Sequence, residues 1–176
     1  MNLLLLRHGV AVERTDWECP DDDARPLTPK GRRQLRTSAT GMRSLGLDVD
    51  VIWSSPLVRT RQTAEIIGAE LKVKKPVVIV DALRPGGDVK NLLQKMSAPV
   101  AASEKLLLVG HEPDLSEFIS LLVTGTTNAG FALKKGALAK LKVDKLQAGK
   151  CATLQWLLTS KQLRLYSQIR AYPSKI

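Results

Sequence analysis

The chain has 176 residues, 44% of them hydrophobic, and we expect a single domain with a sizeable core over residues 1–176. No apolar run has the length of a membrane helix or of the core of a signal peptide, so we expect a cytoplasmic protein without a membrane partner. We also expect a monomer. The formal net charge is +10, and residues 130–176 hold ten Lys and Arg against one acid. This asymmetry predicts a basic surface that attracts an acidic partner.

The first predicted element is a buried strand over Leu3–Leu6, which ends close to His8. The acidic stretch Glu13–Asp23 contains a proline and predicts a loop that rims the site beyond the strand. Thr28, followed directly by a proline, predicts the start of an amphipathic helix that continues to about Leu45.

The middle of the chain continues the alternation of strand and helix. A second strand is predicted over Val51–Trp53, and Pro56 opens a helix that carries Arg59 in its first turns. The run Pro76–Val80 indicates another short buried strand, and after a loop Asp88–Met96 indicates a helix with an acidic N-cap.

A last parallel strand is predicted over Leu106–Val109, ending near His111, and Pro113 opens the helix that follows. Ala137–Val143 and Ala152–Leu158 predict two antiparallel strands separated by a turn, and the last fifteen residues carry no prediction. Together these elements predict an α/β domain with a mostly parallel central sheet and an antiparallel C-terminal addition.

The chain contains only two histidines, and both follow apolar strands. Because the carboxyl ends of parallel strands meet at one edge of a sheet, we expect His8 and His111 to face one pocket. Arg7 precedes His8, and Arg59 follows the second strand. A guanidinium offers a fork of donors that matches two phosphate oxygens. The pattern therefore predicts a phosphate site at this edge.

Three motifs resemble the histidine phosphatase superfamily: RHG at residues 7–9, SSPLVRTRQTAE at 54–65 and VGHEPDLS at 109–116. Ala11 and the stretch RPLTPKGRRQ at 25–34 look most like the SixA-type phosphohistidine phosphatase branch. The likeness extends from Met1 to about Ser120 and implies a three-layer α/β/α sandwich of the phosphoglycerate mutase type.

The resemblance implies covalent catalysis, in which neutral His8 attacks a phosphoryl group and water then cleaves the phosphohistidine. It also implies that Arg7, Arg59 and His111 surround the same phosphate, and that Gly9 leaves space for a close backbone approach. This arrangement calls for no metal and no cofactor, so none is expected.

The general acid is left open, because Asp81 and Asp88 are both candidates by position in the sequence. A phosphohistidine substrate reduces the need for an acid, since its P–N bond breaks readily once the imidazole is protonated. The chain also lacks the long insertions that cap the pocket in relatives acting on metabolites. We therefore expect a phosphohistidine phosphatase whose partner is a phosphorylated, acidic histidine phosphotransfer domain.

Two other functions stay open. A small-molecule phosphomonoesterase or mutase is the first, although Val10–Arg14 departs from the longer motif of the mutases. A noncatalytic module that binds phosphoprotein or nucleic acid is the second, but an aromatic content of 4% offers few stacking platforms, so we expect no nucleic-acid partner. Cys19 and Cys151 are expected as reduced thiols without a role, and the three tryptophans as packing residues.

Overall fold

The computed structural model describes residues 1–14, 21–97 and 105–169, whose strands form a single sheet. In chain order the elements are β1 (Asn2–Arg7), α1 (Pro29–Ser44), β2 (Val51–Ser54), α2 (Val58–Leu71), β3 (Val78–Ile79), α3 (Val89–Ser97), β4 (Lys105–Gly110), α4 (Asp114–Thr124), β5 (Leu138–Val143), β6 (Ala152–Leu158) and α5 (Ser160–Tyr166).

The six strands lie in the order β3-β2-β4-β1-β5-β6. The first four of these run parallel, whereas β5 pairs antiparallel with β1, and β6 pairs antiparallel with β5. The mostly parallel sheet with an antiparallel C-terminal addition is therefore confirmed. The topology places the carboxyl ends of β1, β2 and β4 side by side, because β4 lies between β2 and β1.

Both faces of the sheet are covered by helices. Along β1 the side chains alternate, so that Leu3 and Leu5 join one apolar cluster while Leu4 and Leu6 join the other. The first cluster includes buried residues of α3 and α4, and the second includes those of α1, α2 and α5. Each fully buried leucine contributes about 1.5–3 kcal/mol. The three-layer α/β/α arrangement is confirmed.

Two local predictions need correction. The strand predicted over Pro76–Val80 is not buried: Val78 and Ile79 are 41% and 47% exposed, because β3 forms the edge of the sheet. Helix α2 begins two residues after Pro56, since the Leu57 backbone is still extended. Helix α5 was not predicted: it starts with a capping box between Thr159 and Gln162 and continues into the last fifteen residues, which carried no prediction.

The start of α1 fixes the chain just beyond β1. Thr28 caps the helix as predicted, because its hydroxyl accepts a hydrogen bond from the Gly31 N–H at 3.0 Å. The Val10 carbonyl accepts a hydrogen bond from the Thr28 N–H at 2.9 Å. A side chain at Gly31 would collide with the Val10 carbonyl, so glycine permits this close approach.

No helix within residues 1–14, 21–97 and 105–169 is long and apolar enough to cross a membrane. Cys151 has a free thiol, while Cys19 lies outside the described residues. Trp53 is buried and Trp156 packs against the second apolar cluster, as expected, and Trp17 lies outside the described residues.

Candidate active site

The two histidines follow neighbouring strands at the same level. Arg7 of β1 pairs in register with Gly110 of β4, and the His8 N–H donates a hydrogen bond to the Gly110 carbonyl at 3.1 Å. The centroids of the His8 and His111 rings therefore lie only 5.3 Å apart, with the ring planes tilted by 57°. The predicted convergence of two imidazoles at one sheet edge is present in the structure.

Hydrogen bonding fixes the tautomer of His8. Its Nδ1 lies 2.7 Å from the Gly9 carbonyl, and a carbonyl oxygen only accepts, so Nδ1 carries the proton. Burial lowers the pKa of His8 to about 4. The hydrogen bond to the Gly9 carbonyl acts against this, and the nearby charges of Arg59 and Arg7 add to it. At neutral pH the ring is therefore uncharged, with an unprotonated Nε2.

His111 is held by a hydroxyl group at the end of β2. Its Nε2 lies 2.9 Å from Ser55 Oγ, and its Nδ1 lies 3.5 Å from Arg59 Nη2. Burial, together with the charges of His8 and Arg59, lowers the pKa of His111 to about 3. Because a guanidinium only donates, Nδ1 of His111 accepts from Arg59, and Nε2 carries the proton and donates it to Ser55 Oγ.

Both arginines keep one buried donor without a partner. Arg7 Nη1 donates to the Leu133 carbonyl at 2.7 Å, and Arg59 Nη1 donates to the Asp22 carbonyl at 2.6 Å. The Nε atoms of Arg7 and Arg59 are buried, and neither has a hydrogen-bond partner. A buried donor left unpaired costs about 1–3 kcal/mol. Both residues also line the cavity described below, where their positive charges favour an anionic ligand.

Asp22 connects three arginines beside the histidines. Its carboxylate accepts hydrogen bonds from Arg14 at 2.8 Å, from Arg25 at 2.7 Å and from Arg59 at 3.0 Å. The hydrogen bond from Arg14 is the largest of the effects that hold the pKa of Asp22 far below its usual range. Asp22 therefore stays ionised and fixes the orientation of Arg59.

These side chains surround an open cavity of about 280 Å³. Five cationic side chains, two carboxyl groups, both histidines and one proline line it: Arg7, His8, Glu13, Arg14, Arg25, Arg59, Pro85, His111, Glu112 and Lys135. The excess of positive charge favours a dianion. The loop expected to rim the site contributes Glu13 and Arg14, while residues 15–20 lie outside the described part of the chain.

The sequence-predicted site residues fall into two groups. Arg7, His8, Arg59 and His111 all line this cavity. Gly9 does not line it: its N–H donates to Thr63 Oγ1 at 3.1 Å. Its missing side chain leaves room for Leu35, which a Cβ at this position would meet at 2.7 Å.

The two predicted candidates for a general acid do not line the cavity. The side chain of Asp81 is 85% exposed and pairs with Arg84, and the Asp88 carboxylate accepts a hydrogen bond from the Lys90 N–H at 2.8 Å. Asp88 thus caps the start of α3, and Asp81 faces solvent beside Arg84.

Sequence reasoning missed the roles of Asp22, Ser55 and Glu112. Ser55 and Glu112 lie inside the quoted motifs, where their positions beside the strand ends were a usable signal. Asp22 had no such signal, because its partner Arg59 lies 37 residues away. Among the described residues no cluster of three or more His, Cys, Asp or Glu side chains has the geometry of a metal site.

The family model described as histidine phosphatase superfamily (branch 1) matches residues 3–95, more than half of the chain. The chain therefore belongs to the histidine phosphatase superfamily, and it is a phosphatase homologue.

Within the family the chain is similar to SixA-type proteins. It is 38% identical to an uncharacterised protein of Picosynechococcus sp. (strain ATCC 27264 / PCC 7002 / PR-6), covering 81% of this chain and 85% of that protein. It is 26% identical to the phosphohistidine phosphatase SixA of Escherichia coli (strain K12), covering 96% and 100%. The solved structure of the protein histidine phosphatase SixA complexed with tungstate superimposes with a TM-score of 0.79 at 25% identity, covering 93% and 99%.

Proposed function

We propose that this protein removes the phosphoryl group from a phosphorylated histidine of an acidic protein, through a phosphohistidine intermediate on His8. The observation that carries the proposal is that His8, with an unprotonated Nε2, lines one cavity together with the guanidinium-bearing residues Arg7 and Arg59. A nucleophile and a ready anion site in one cavity support phosphoryl transfer. The similarity to SixA supports the choice of phosphohistidine as substrate.

In the first step His8 Nε2 attacks phosphorus. The substrate ring carries a proton on its other nitrogen, so that its P–N bond breaks with the electron pair going to the ring and neutral imidazole departs. In the second step water attacks phosphorus, the bond to His8 breaks, and inorganic phosphate is released. Arg7, Arg59 and His111 stabilise the charge that is spread over the equatorial oxygens in both steps. The Gly9 carbonyl holds the ring so that Nε2 is the attacking atom.

The size of the cavity supports a protein substrate. Its volume of about 280 Å³ lies just below the range for small-molecule pockets, which is about 300–1,000 Å³. Such a space has room for a phosphoryl group and the histidine ring that bears it, while the remainder of a protein substrate stays outside. The basic residues Lys134 and Lys135, the second of which lines the cavity, then favour an acidic surface around the phosphorylated residue.

The proposal is tested by measuring kcat/KM for three substrates: a histidine-phosphorylated phosphotransfer domain, p-nitrophenyl phosphate and a serine-phosphorylated peptide. We expect the phosphohistidine protein to give the highest kcat/KM. His8→Ala should abolish turnover of all substrates, whereas Asp88→Asn, outside the cavity, serves as the matched control and should retain it. Turnover by His8→Ala, or no turnover of the phosphohistidine protein by the wild type, would overturn the proposal.

A second candidate function is hydrolysis of phosphomonoesters at the same site. One observation favours it: the carboxyl group of Glu112 lines the cavity beside both histidines. An ester leaves as an alkoxide or phenoxide unless a proton is supplied, so an acid in the site is of most use to that chemistry.

A further inference from the structure

Glu112 is placed where a proton donor to the leaving group is needed. It directly follows His111 at the end of β4 and lines the same cavity as His8, Arg7 and Arg59. One of its oxygens, Oε2, accepts a hydrogen bond from the Ser116 hydroxyl at 2.7 Å. The Glu112 carboxyl group is thus held at one side while it borders the reacting centre.

The second oxygen of Glu112 shows that the site does not fully solvate a carboxylate. Oε1 is buried and has no hydrogen-bond partner. An ionised oxygen in that position is costly, whereas a protonated carboxyl group needs fewer donors and carries an O–H of its own. Burial raises the pKa of Glu112. The Ser116 hydroxyl, the backbone N–H of Leu133 and the charge of Arg7 all act against this rise, but the pKa stays above its usual value. A phosphoryl dianion in the cavity would raise it further.

The other carboxyl groups near the cavity are less suited to donate a proton. Asp22 is ionised, because three arginines hold its pKa far below the usual range. Glu13 lines the cavity but is exposed to solvent. Asp81 and Asp88 do not line it. Among the described residues Glu112 therefore combines a position on the cavity with a site that favours its protonated form.

We propose that Glu112 is the general acid of this protein and extends its substrates from phosphohistidine to phosphomonoesters. The inference rests on the covalent chemistry at His8 proposed above. While His8 Nε2 bonds to phosphorus and the P–O bond breaks, the Glu112 proton passes to the departing oxygen, so that an alcohol and a Glu112 carboxylate result. That carboxylate then takes a proton from the attacking water, the P–N bond breaks, and phosphate leaves with His8 and Glu112 restored.

The test compares wild type and Glu112→Gln on aryl phosphates with leaving groups of increasing basicity, from 2,4-dinitrophenyl through p-nitrophenyl to phenyl phosphate. General-acid catalysis is worth about a hundredfold to ten-thousandfold, so we expect kcat/KM for phenyl phosphate to fall by about that factor in Glu112→Gln. For 2,4-dinitrophenyl phosphate, which leaves without a proton, we expect little change. A purely structural role would lower all three values equally, and that result would overturn the inference.

Three controls separate the proposed role of Glu112 from effects on the fold of the site and on the chemistry at His8. Glu112→Gln keeps the shape and a hydrogen-bonding group for Ser116, so tungstate binding measured by calorimetry should be unchanged and shows that the site is folded. Glu112→Asp should restore part of the lost activity toward phenyl phosphate. Glu13→Gln makes the same replacement at the same cavity, and a steeper leaving-group dependence in Glu13→Gln than in Glu112→Gln would assign the acid to Glu13 and contradict the inference.

The outcomes also distinguish the two proposals. If Glu112→Gln behaves like wild type on every aryl phosphate while His8→Ala is inactive, Glu112 is not the general acid and the covalent mechanism at His8 stands. If His8→Ala is active, the covalent mechanism fails whatever Glu112 does.

Discussion

Arg59 is bound twice by Asp22, once through the backbone and once through the side chain. Arg59 Nη1 donates to the Asp22 carbonyl at 2.6 Å, and Arg59 Nη2 donates to the Asp22 carboxylate at 3.0 Å. The loop that carries Asp22 thereby fixes a guanidinium of helix α2 whose Nε remains without a partner. Preorganised donors of this kind accelerate reactions because they need no rearrangement as charge develops.

We predict that Asp22→Ala lowers kcat/KM for a small substrate such as p-nitrophenyl phosphate about tenfold. A hydrogen bond to a charged group contributes about 1.5–3 kcal/mol. The partial exposure of Asp22 reduces that value, so the expected loss in kcat/KM is about tenfold. The matched control is Asp23→Ala, because the Asp23 carboxylate binds the exposed Arg84 and not the cavity. Equal losses in the two variants would show that Asp22 does not position Arg59.

A second prediction concerns the pH dependence of stability. The pKa of an unfolded histidine is about 6.5, whereas in the folded protein His8 has a pKa of about 4 and His111 of about 3. Below pH 6.5 these two histidines bind more protons in the unfolded chain than in the folded protein. Their contribution to the free energy of unfolding is therefore complete above pH 6.5 and is lost as the pH falls toward their folded pKa values. The slope is at most about 1.4 kcal/mol per pH unit for each ring.

Urea unfolding between pH 7.5 and pH 5 measures this slope. His111→Asn removes one of the two rings that resist protonation, so its free energy of unfolding should depend less on pH than that of the wild type. If the free energy of unfolding depended on pH equally in His111→Asn and in the wild type, the His111 ring would not be buried in its neutral form.

The charge of the cavity rim gives a third prediction. The segment that carries Lys134 lies at the carboxyl end of β1, where the cavity is, because the Gly136 N–H donates to the carbonyls of Arg7 and His8. Lys134→Glu should therefore slow dephosphorylation of an acidic phosphoprotein severalfold at low salt, and the effect should fade as salt is added. Turnover of p-nitrophenyl phosphate should change by less than about twofold, since that substrate needs no docking surface.

Lys74→Glu is the matched control for Lys134→Glu. Lys74 is exposed and precedes β3, so it lies toward the amino ends of the parallel strands, at the edge of the sheet opposite the cavity. Slowing by Lys74→Glu to the same extent as by Lys134→Glu would point to overall charge rather than to a docking surface at the rim.

A fourth prediction concerns the packing of α1 against α5. A side chain at Gly41 would collide with the Leu163 carbonyl, whereas a side chain at Gly68 would contact the flexible end of Ile52 at 3.3 Å. Both glycines lie within helices, where replacement by alanine is otherwise favourable by about 1 kcal/mol. We expect Gly41→Ala to destabilise the protein by about 1–3 kcal/mol and Gly68→Ala to be neutral or stabilising in urea unfolding. Similar changes in both variants would argue against the close approach of α5.

The positions of the two histidines were predictable from local signals. An apolar run followed by Arg-His-Gly, and another followed by Gly-His, indicates parallel strands that end in polar groups at one sheet edge. The sequence did not establish that β1 and β4 are neighbours, since the order of strands depends on packing over more than 90 residues. That neighbour relationship is what brings the rings to 5.3 Å.

Other features were beyond sequence reasoning for identifiable reasons. An apolar run such as Pro76–Val80 does not distinguish a central strand from an edge strand, and β3 is an edge strand with exposed side chains. The direction of the Glu112 side chain depends on its contact with Ser116, not on composition. Helix α5, in contrast, had a readable signal in the pair Thr159 and Gln162, whose spacing is that of a capping box.

The most direct test of the mechanism is to trap the covalent intermediate. The protein is mixed rapidly with a ³²P-labelled substrate, denatured in alkali, and digested so that the labelled peptide and ring nitrogen are identified. Because the Gly9 carbonyl occupies Nδ1, the mechanism predicts acid-labile, alkali-stable label on Nε2 of His8 during turnover, and none in His8→Ala. Label on another residue, or full turnover with no label ever on His8, would contradict it.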